Sequence, residues 1–258
     1  MIFAGIDAGS RSIKVVLYDA TTRKVVGRGI AEQGVDQARL AEALFDRTLE
    51  AIGLGRSQVA RTVATGYGRG SVRFAQSTVT EITCHARGVW QTSPNARTII
   101  EIGGQDSKVI WIEPDGRVRD FAMNDRCAAG TGRFLEMVAA RLGVDLCKLG
   151  EISRASARPA VISSTCVVFA ETEIIGLLAS GAAVPDIAAG VQKAIASRVS
   201  TMAMRAVVPP VYFTGGVALQ AGMCRALQHA LEVEVRLVPD PQFTGALGAA
   251  LVAAEQGD

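Results

Sequence analysis

The chain has 258 residues, 49% of them apolar, which is enough for one large domain or two closely associated lobes with a sizeable core. Its formal net charge of +2 argues against a protein that binds nucleic acid through a basic face. No stretch approaches the ~18 unbroken apolar residues of a membrane span, and the N-terminus lacks the features of a signal peptide. We therefore expect a cytoplasmic protein without membrane association.

Two β-hairpins with glycine-containing turns are predicted, at 2–18 and 98–112. When the two hairpins are aligned without gaps, an acidic residue, a glycine and a lysine occur at the same positions in both. The matched pairs are Asp7 and Glu101, Gly9 and Gly103, and Lys14 and Lys108. This repeat predicts two related lobes, 1–94 and 95–258, with the final helix able to pack back on the first lobe. A glycine turn between Val- and Ile-rich strands also occurs without any repeat.

Strands and helices alternate along the rest of the chain, which predicts an α/β fold. Further strands are predicted at 61–65, 211–214 and 234–238. Helices are predicted at 37–52, 132–142, 169–178, 187–206, 220–230 and 245–253. Because no low-complexity linker separates the two predicted lobes, we expect them to share a cleft.

The first hairpin turn has the composition of a phosphate-binding turn. It combines a close backbone approach with hydroxyls and cations, which can hold a triphosphate without a P-loop, and the chain has no P-loop motif. The residues expected to contact the nucleotide here are Gly9, Ser10, Arg11, Ser12 and Lys14. Asp7 ends its strand and is placed to hold the hydration shell of Mg²⁺.

The second hairpin turn, Gly103-Gly104-Gln105-Asp106, would grip the phosphates from the other lobe. Either Gln105 or Asp106 would orient the attacking water, which gives the catalytic set Asp7, Gln105 and Asp106. Other residues expected near the nucleotide are Gly130, Thr131, Gly215, Gly216, Gln220 and Gln242. The pair Gly215-Gly216 lies between a strand and a helix and would sit under the adenosine.

These motifs occur in the order found in the actin, sugar-kinase and heat-shock-chaperone ATPase superfamily, which the sequence resembles. From residue 1 to about 254 it is most similar to the activators of 2-hydroxyacyl-CoA dehydratases. The stretches that carry this resemblance are ATGYGR at 64–69, NDRCAAGTGRFL at 124–135, ISSTC at 162–166, FAE at 169–171 and GALGAA at 245–250. The resemblance implies a two-lobed, actin-like (ribonuclease H-like) ATPase fold with ATP or ADP and Mg²⁺ in the interlobe cleft.

Two of the five cysteines, Cys127 and Cys166, each precede a predicted helix. A helix start lowers the pKa of a thiol and favours bound anions, including a thiolate-ligated iron–sulfur cluster. Two cysteines cannot ligate such a cluster alone, but a two-fold homodimer supplies four. The alternatives are ordinary buried cysteines, or a zinc site that lacks the usual CxxC pairs. Cys84, Cys147 and Cys224 are interpreted as ordinary core residues.

The resemblance favours one [4Fe-4S] cluster held by Cys127 and Cys166 of two subunits. It implies ATP hydrolysis coupled to transfer of one electron from ferredoxin or flavodoxin to a 2-hydroxyacyl-CoA dehydratase component. The nearest alternative is the ATPase subunit of a benzoyl-CoA reductase-type complex. The others are a small-molecule kinase, or a regulatory ATPase of this fold without a cluster.

Overall fold

Two five-stranded sheets organise the computed structural model, which describes residues 1–163, 166–203 and 207–257. The strands are β1 (Ile2–Ala8), β2 (Ser12–Asp19), β3 (Lys24–Glu32), β4 (Val59–Thr65), β5 (Ser77–Thr78), β6 (Thr98–Ile102), β7 (Ser107–Ile112), β8 (Val118–Asn124), β9 (Val211–Thr214) and β10 (Val235–Leu237). The helices are α1 (Gln37–Glu50), α2 (Glu81–Thr92), α3 (Gly132–Leu142), α4 (Leu146–Ser153), α5 (Val167–Ala179), α6 (Val184–Met202), α7 (Met223–Leu231) and α8 (Thr244–Glu255). The alternation of strands and helices confirms the predicted α/β class.

The two sheets have the same connectivity, which confirms the repeat inferred from the hairpins. The strand orders are β3-β2-β1-β4-β5 and β8-β7-β6-β9-β10. In each sheet the hairpin is antiparallel and its first strand also pairs in parallel with a later strand, β4 or β9. The register places Asp7 opposite Lys14 and Glu101 opposite Lys108, as the matched spacing implies.

By their internal contacts the residues form two units. The first contains Met1–Ala96, Ile112–Arg119 and the chain from Val238 onward; the second contains Arg97–Trp111 and Asp120–Leu237. The C-terminal helix α8 therefore belongs to the unit that contains the first sheet. None of the helices within the described residues combines the length and the apolar character needed to span a bilayer.

The first sheet is covered on both faces because alternate residues of its strands point to opposite sides. Val15 and Leu17 of β2 pack in a core with Leu44 of α1, whereas Val16 lies in a cluster with Ala246 of α8. A helix layer on each face explains why β2 is apolar at successive positions rather than at alternate ones. The second unit has one large core, in which the sheet packs against α3, α5, α6 and α7.

Helix α8 lies unusually close to its neighbours because small residues line the contacts. A Cβ on Gly5 of β1 would overlap the carbonyl oxygen of Ala246, and one on Gly248 would overlap the carbonyl oxygen of Cys84 on α2. Every residue from Thr244 to Ala250 is buried. The GALGAA motif therefore has a packing function, since it lets strand, helix and helix approach backbone to backbone.

Strands β3, β5 and β8 and helix α4 were not predicted. Every residue of β3 is exposed or half-buried, so the apolar run that identifies a buried strand is missing. The predicted helix at 187–206 begins three residues early in the structure, and its predicted end at Ala206 lies outside the described residues. Ser164 and Thr165, which precede Cys166, also lie outside them.

Candidate ATP site and candidate cluster cysteines

The turn between β1 and β2 brings together the first predicted set of residues. Asp7 is buried at the end of β1, and its Oδ2 lies 3.4 Å from Lys14 Nζ on β2. A Cβ on Gly9 would lie 3.2 Å from the same Nζ, so a larger residue would crowd the lysine. Glycine therefore keeps the backbone of the turn next to a paired cation, which suits the approach of a phosphate.

The remaining residues of this turn differ in exposure. Ser10 and Ser12 are half-buried, whereas Arg11 is exposed and lies 3.9 Å from Glu32 at the end of β3. Gln33 supports the turn from outside, because its Nε2 donates to the Gly9 carbonyl at 2.8 Å and its backbone N–H donates to Arg11. Gln33 was not predicted, since it follows a strand that the sequence pattern did not reveal.

The turn between β6 and β7 brings together the second set around a fully buried lysine. Lys108 Nζ lies 2.9 Å from Glu101 Oε2 and 2.8 Å from Asp106 Oδ2. Asp106 is thus engaged in the turn, whereas Gln105 is exposed and makes no side-chain hydrogen bond with the described residues. Of the two residues expected to orient water, Gln105 is the more exposed, because Asp106 is half-buried and paired with Lys108.

The same turn is bonded to the start of helix α3. The backbone N–H groups of Gly132 and Arg133 donate to the carbonyls of Gly103 and Gly104, each at 2.9 Å. Two of the N–H groups at this helix start therefore fasten α3 to the turn between β6 and β7. Thr131 is also engaged, because its hydroxyl donates to the Ala128 carbonyl at 2.7 Å.

The Gly215-Gly216 pair lies against the carboxyl end of β6. Gly215 has φ of +91°, a conformation that favours glycine, and a Cβ there would lie 2.7 Å from Glu101 Oε1. Gly216 is exposed, and the buried Oε1 of Gln220 has no hydrogen-bond partner within the described residues. Gln242 is half-buried in the turn that precedes α8, in the other unit. Both glutamines have polar groups that can bond a nucleoside, and in Gln220 one of these atoms is buried without a partner among the described residues.

The backbone of Cys127 is held by two hydrogen bonds to the side chain of Asn124. Asn124 Nδ2 donates to the Cys127 carbonyl at 2.8 Å, and the Cys127 N–H donates to Asn124 Oδ1 at 3.1 Å. A Cβ on Gly130, which is buried, would lie 3.2 Å from the same Nδ2. The half-buried thiol is therefore carried by a short ordered segment that continues into α3.

Cys166 is exposed and lies at the N-cap of α5, as its sequence position predicted. Glu173 of this helix accepts hydrogen bonds from the backbone N–H and the hydroxyl of Ser163, so it ties the approaching chain to α5. Glu171 pairs with Arg141 of α3. Both glutamates therefore make contacts that hold α5 to neighbouring parts of the second unit. The side chains of Val168 and Phe169 beside the cysteine are also exposed.

The remaining cysteines divide into three environments. Cys84 is buried in α2, and Cys224 is half-buried with its Sγ donating to the Val235 carbonyl at 3.1 Å. Cys147 was interpreted as a core residue, and this was wrong: it is exposed in the first turn of α4. The buried side of that short helix is formed by Leu149 and Gly150 instead.

Burial raises the pKa of the Cys84 thiol to about 12. Because the thiolate is the reactive form, we expect iodoacetamide at pH 8.5 to alkylate Cys84 at least about a hundredfold more slowly than exposed Cys147 in the native protein. Mass spectrometry of quenched samples checks this, and denaturation in urea should abolish the difference. Comparable rates in the native state would contradict the burial of Cys84.

Two α/β units of equal connectivity, each with a hairpin turn that holds an acidic residue and a lysine, define an actin-like ATPase fold. A ROK family glucokinase from Streptomyces griseus shares this fold with a TM-score of 0.63 at 13% identity, covering 99% of this chain and 100% of that one. A family model for the BadF/BadG/BcrA/BcrD ATPase family matches residues 4–253. The chain belongs to this family, and it is an ATP-hydrolysing protein.

Two relatives within the family are similar over nearly their whole length. The activator of lactoyl-CoA dehydratase from Anaerotignum propionicum is 44% identical over 260 residues, which cover 99% of this chain and 98% of the relative. The solved structure of the activator of 2-hydroxyisocaproyl-CoA dehydratase from Clostridium difficile, with bound ADPNP, has a TM-score of 0.93 and 41% identity. That match covers 100% of this chain and 96% of the other.

Proposed function

We propose that this protein is the ATP-hydrolysing activator of a 2-hydroxyacyl-CoA dehydratase component, to which it passes single electrons. The observation that carries the proposal is the double hydrogen bond from the start of α3 to the carbonyls of Gly103 and Gly104. It fastens the segment that carries Cys127 to the turn expected to grip phosphates. The nucleotide state and the environment of Cys127 are thereby linked within one unit.

In the first unit, the turn after β1 would contact the phosphates and Asp7 would hold the water shell of a Mg²⁺ ion. In the second unit, the turn after β6 would contact phosphates in the same way. Asp7 suits this role because it is buried at a strand end and only loosely paired, with Lys14 Nζ at 3.4 Å. Gln105 would orient the attacking water, since its side chain is exposed while Asp106 is bonded to Lys108. The residues facing the nucleoside would be Gly215, Gly216 and Gln220. Gln220 Oε1 has no hydrogen-bond partner within the described residues, so it would be available to accept a hydrogen bond from the nucleoside.

The cluster would be held by Cys127 and Cys166 together with the same two residues of a second subunit. The donor set fits, because both thiols reach solvent and Cys166 lies at the start of a 13-residue helix whose dipole favours an anion. The exposed side chains of Val168 and Phe169 lie next to Cys166 and would be covered in such a homodimer. When bound, a [4Fe-4S] cluster supplies a one-electron carrier, which ferredoxin or flavodoxin would reduce.

The phosphates of the nucleotide would be coupled to Cys127 through a short series of hydrogen bonds. A movement of the turn at Gly103-Gly104 would be passed to α3 through the two backbone hydrogen bonds. The two hydrogen bonds of Asn124 hold Cys127 in place in the segment that leads into α3. If about 4 kcal/mol of nucleotide free energy reached the electron-transfer step, a one-electron potential would change by roughly 170 mV. A change of this size would help to reduce a poor electron acceptor.

The test is to purify the protein without oxygen and to measure iron and sulfide in wild type and in Cys127→Ser, Cys166→Ser and Cys147→Ser variants. We expect about four irons per dimer in the wild type, because the two subunits would share one cluster of the [4Fe-4S] type. Either ligand variant should lose the iron while it still binds ATP. Cys147→Ser is the matched control, since its thiol is exposed but lies outside the ligand set.

Absence of iron under strict anaerobiosis, with a dimer unaffected by all three substitutions, would contradict the electron-transfer proposal. The protein would then be an ATPase of this family in which ATP hydrolysis is coupled to a process other than electron transfer. Iron that persists in both ligand variants would show a cluster held by other residues.

A further inference from the structure

A buried histidine lies behind the candidate Mg²⁺-binding carboxylate of the first unit. His85 of α2 is buried, and its Nδ1 lies 2.9 Å from the hydroxyl of Thr244, the first residue of α8. The sequence offers no motif that would mark His85 as functional. The bond between His85 and Thr244 is formed between residues 159 positions apart in the chain.

The other ring nitrogen of His85 and the carboxylate of Asp7 border the same small space. A Cβ on Gly245 would lie 3.2 Å from Asp7 Oδ2 and 3.3 Å from both His85 Nε2 and Cε1. On the other side, a Cβ on Gly66 would lie 2.5 Å from Asp7 Oδ1. The carboxylate is thus confined by two glycine backbones, by Lys14 and by the imidazole edge.

We propose that His85, oriented by Thr244, is a positioning residue that holds the Asp7 carboxylate in the geometry needed to bind hydrated Mg²⁺ with ATP. This inference rests on the role proposed for Asp7. The Thr244 hydroxyl lies 2.9 Å from Nδ1 and also 3.4 Å from the Pro241 carbonyl. The proposal requires the tautomer in which Thr244 donates to Nδ1 and Nε2, the ring nitrogen that faces the anionic carboxylate, carries the N–H. Asp7 also lies beside the first turn of α8, where backbone N–H groups favour negative charge.

The arrangement follows the general design of metal sites, in which residues behind a carboxylate or imidazole fix its orientation. Loss of such a partner typically costs about 10–100-fold in metal affinity or activity. A merely structural role for His85 would instead lower thermal stability and leave the Mg²⁺ dependence of the folded protein unchanged. The Mg²⁺ concentration that gives half-maximal ATP hydrolysis therefore separates the two roles.

Matched variants test each part of the contact. Thr244→Val removes the hydroxyl and keeps the side-chain shape, whereas Thr244→Ser keeps the hydroxyl. His85→Asn retains a polar atom near the Nδ1 position but removes the group facing Asp7; His85→Gln places an amide near the Nε2 position. The histidine control is His229→Asn, because His229 is exposed on α7 in the other unit. Asp7→Asn serves as the reference for loss of the carboxylate.

For Thr244→Val and His85→Asn we expect the half-maximal Mg²⁺ concentration to rise about tenfold, with melting temperatures close to that of the wild type. Thr244→Ser and His85→Gln should recover most of the wild-type value, and His229→Asn should not differ from it. The measurement is steady-state ATP hydrolysis in Mg²⁺ series at saturating ATP.

Wild-type Mg²⁺ dependence in Thr244→Val and His85→Asn, while Asp7→Asn abolishes hydrolysis, would overturn this inference and leave the role of Asp7 intact. If Asp7→Asn itself hydrolyses ATP normally, the proposed role of Asp7 fails and this inference fails with it. A folded Thr244→Ser variant as defective as Thr244→Val would also overturn the inference, because the hydroxyl would then not be the group that matters.

Discussion

Replacing Lys108 by methionine is expected to lower the free energy of unfolding by about 3–5 kcal/mol, because the change leaves two carboxylates without their shared cation. Lys108 is completely buried, and its ammonium lies within 3 Å of both Glu101 and Asp106. Methionine has a similar length and fills the same space, so the loss reports the charge rather than a cavity. We also expect ATP binding to weaken, since Asp106 closes the turn: its carbonyl accepts a hydrogen bond from the backbone N–H of Gly103.

Urea unfolding of the cluster-free protein measures this effect. Two lysines serve for comparison: Lys193 is exposed on α6, and Lys14 is half-buried beside a single carboxylate. Lys193→Met should change the stability by less than about 0.5 kcal/mol, as surface substitutions usually do. The loss of unfolding free energy in Lys14→Met should lie between those of Lys193→Met and Lys108→Met. A Lys108→Met protein as stable as the Lys193→Met protein would contradict the inference that the buried lysine holds the second turn together.

Replacing Gly248 by alanine is expected to cost about 3 kcal/mol or more, at or beyond the upper end of the usual range for overpacking. The added Cβ would overlap the carbonyl oxygen of Cys84 and lie 2.5 Å from its carbon. Both atoms belong to the backbone of α2, so no side-chain rotation relieves the overlap. Helices α2 and α8 would have to move apart, and the space around His85 and Thr244 would change with them.

Gly176→Ala is the matched control, because Gly176 lies within helix α5 and a Cβ there meets nothing within 4 Å. It should stabilise the helix by about 0.5–1 kcal/mol, which is the usual advantage of alanine over glycine in a helix interior. Thermal unfolding measures both variants. We expect Gly248→Ala to melt at least about 6 °C below the wild type. An unchanged or higher melting temperature would contradict the close helix packing.

Local features of the sequence were enough to predict the α/β class, both hairpins and the start and end of α3 and β9. They succeeded where an apolar run is bounded by glycine, as at Gly103 and Gly215, because turn chemistry and strand composition then agree. They failed for β3, whose exposed faces carry little apolar signal, and for Cys147, whose short helix buries other residues. Exposure depends on neighbours that a local pattern does not contain.

The sequence by itself determined which residue types lie in each turn, because an acidic residue, a glycine and a lysine recur at one spacing and adjacent antiparallel strands place them opposite each other. Only the tertiary structure decided how those groups are used. It closed Asp106 onto Lys108, left Gln105 accessible, bonded the start of α3 to Gly103 and Gly104, and brought His85 and Thr244 behind Asp7. Each of these contacts joins groups whose donors and acceptors are paired only after the strands and helices have packed, so no local pattern could reveal them.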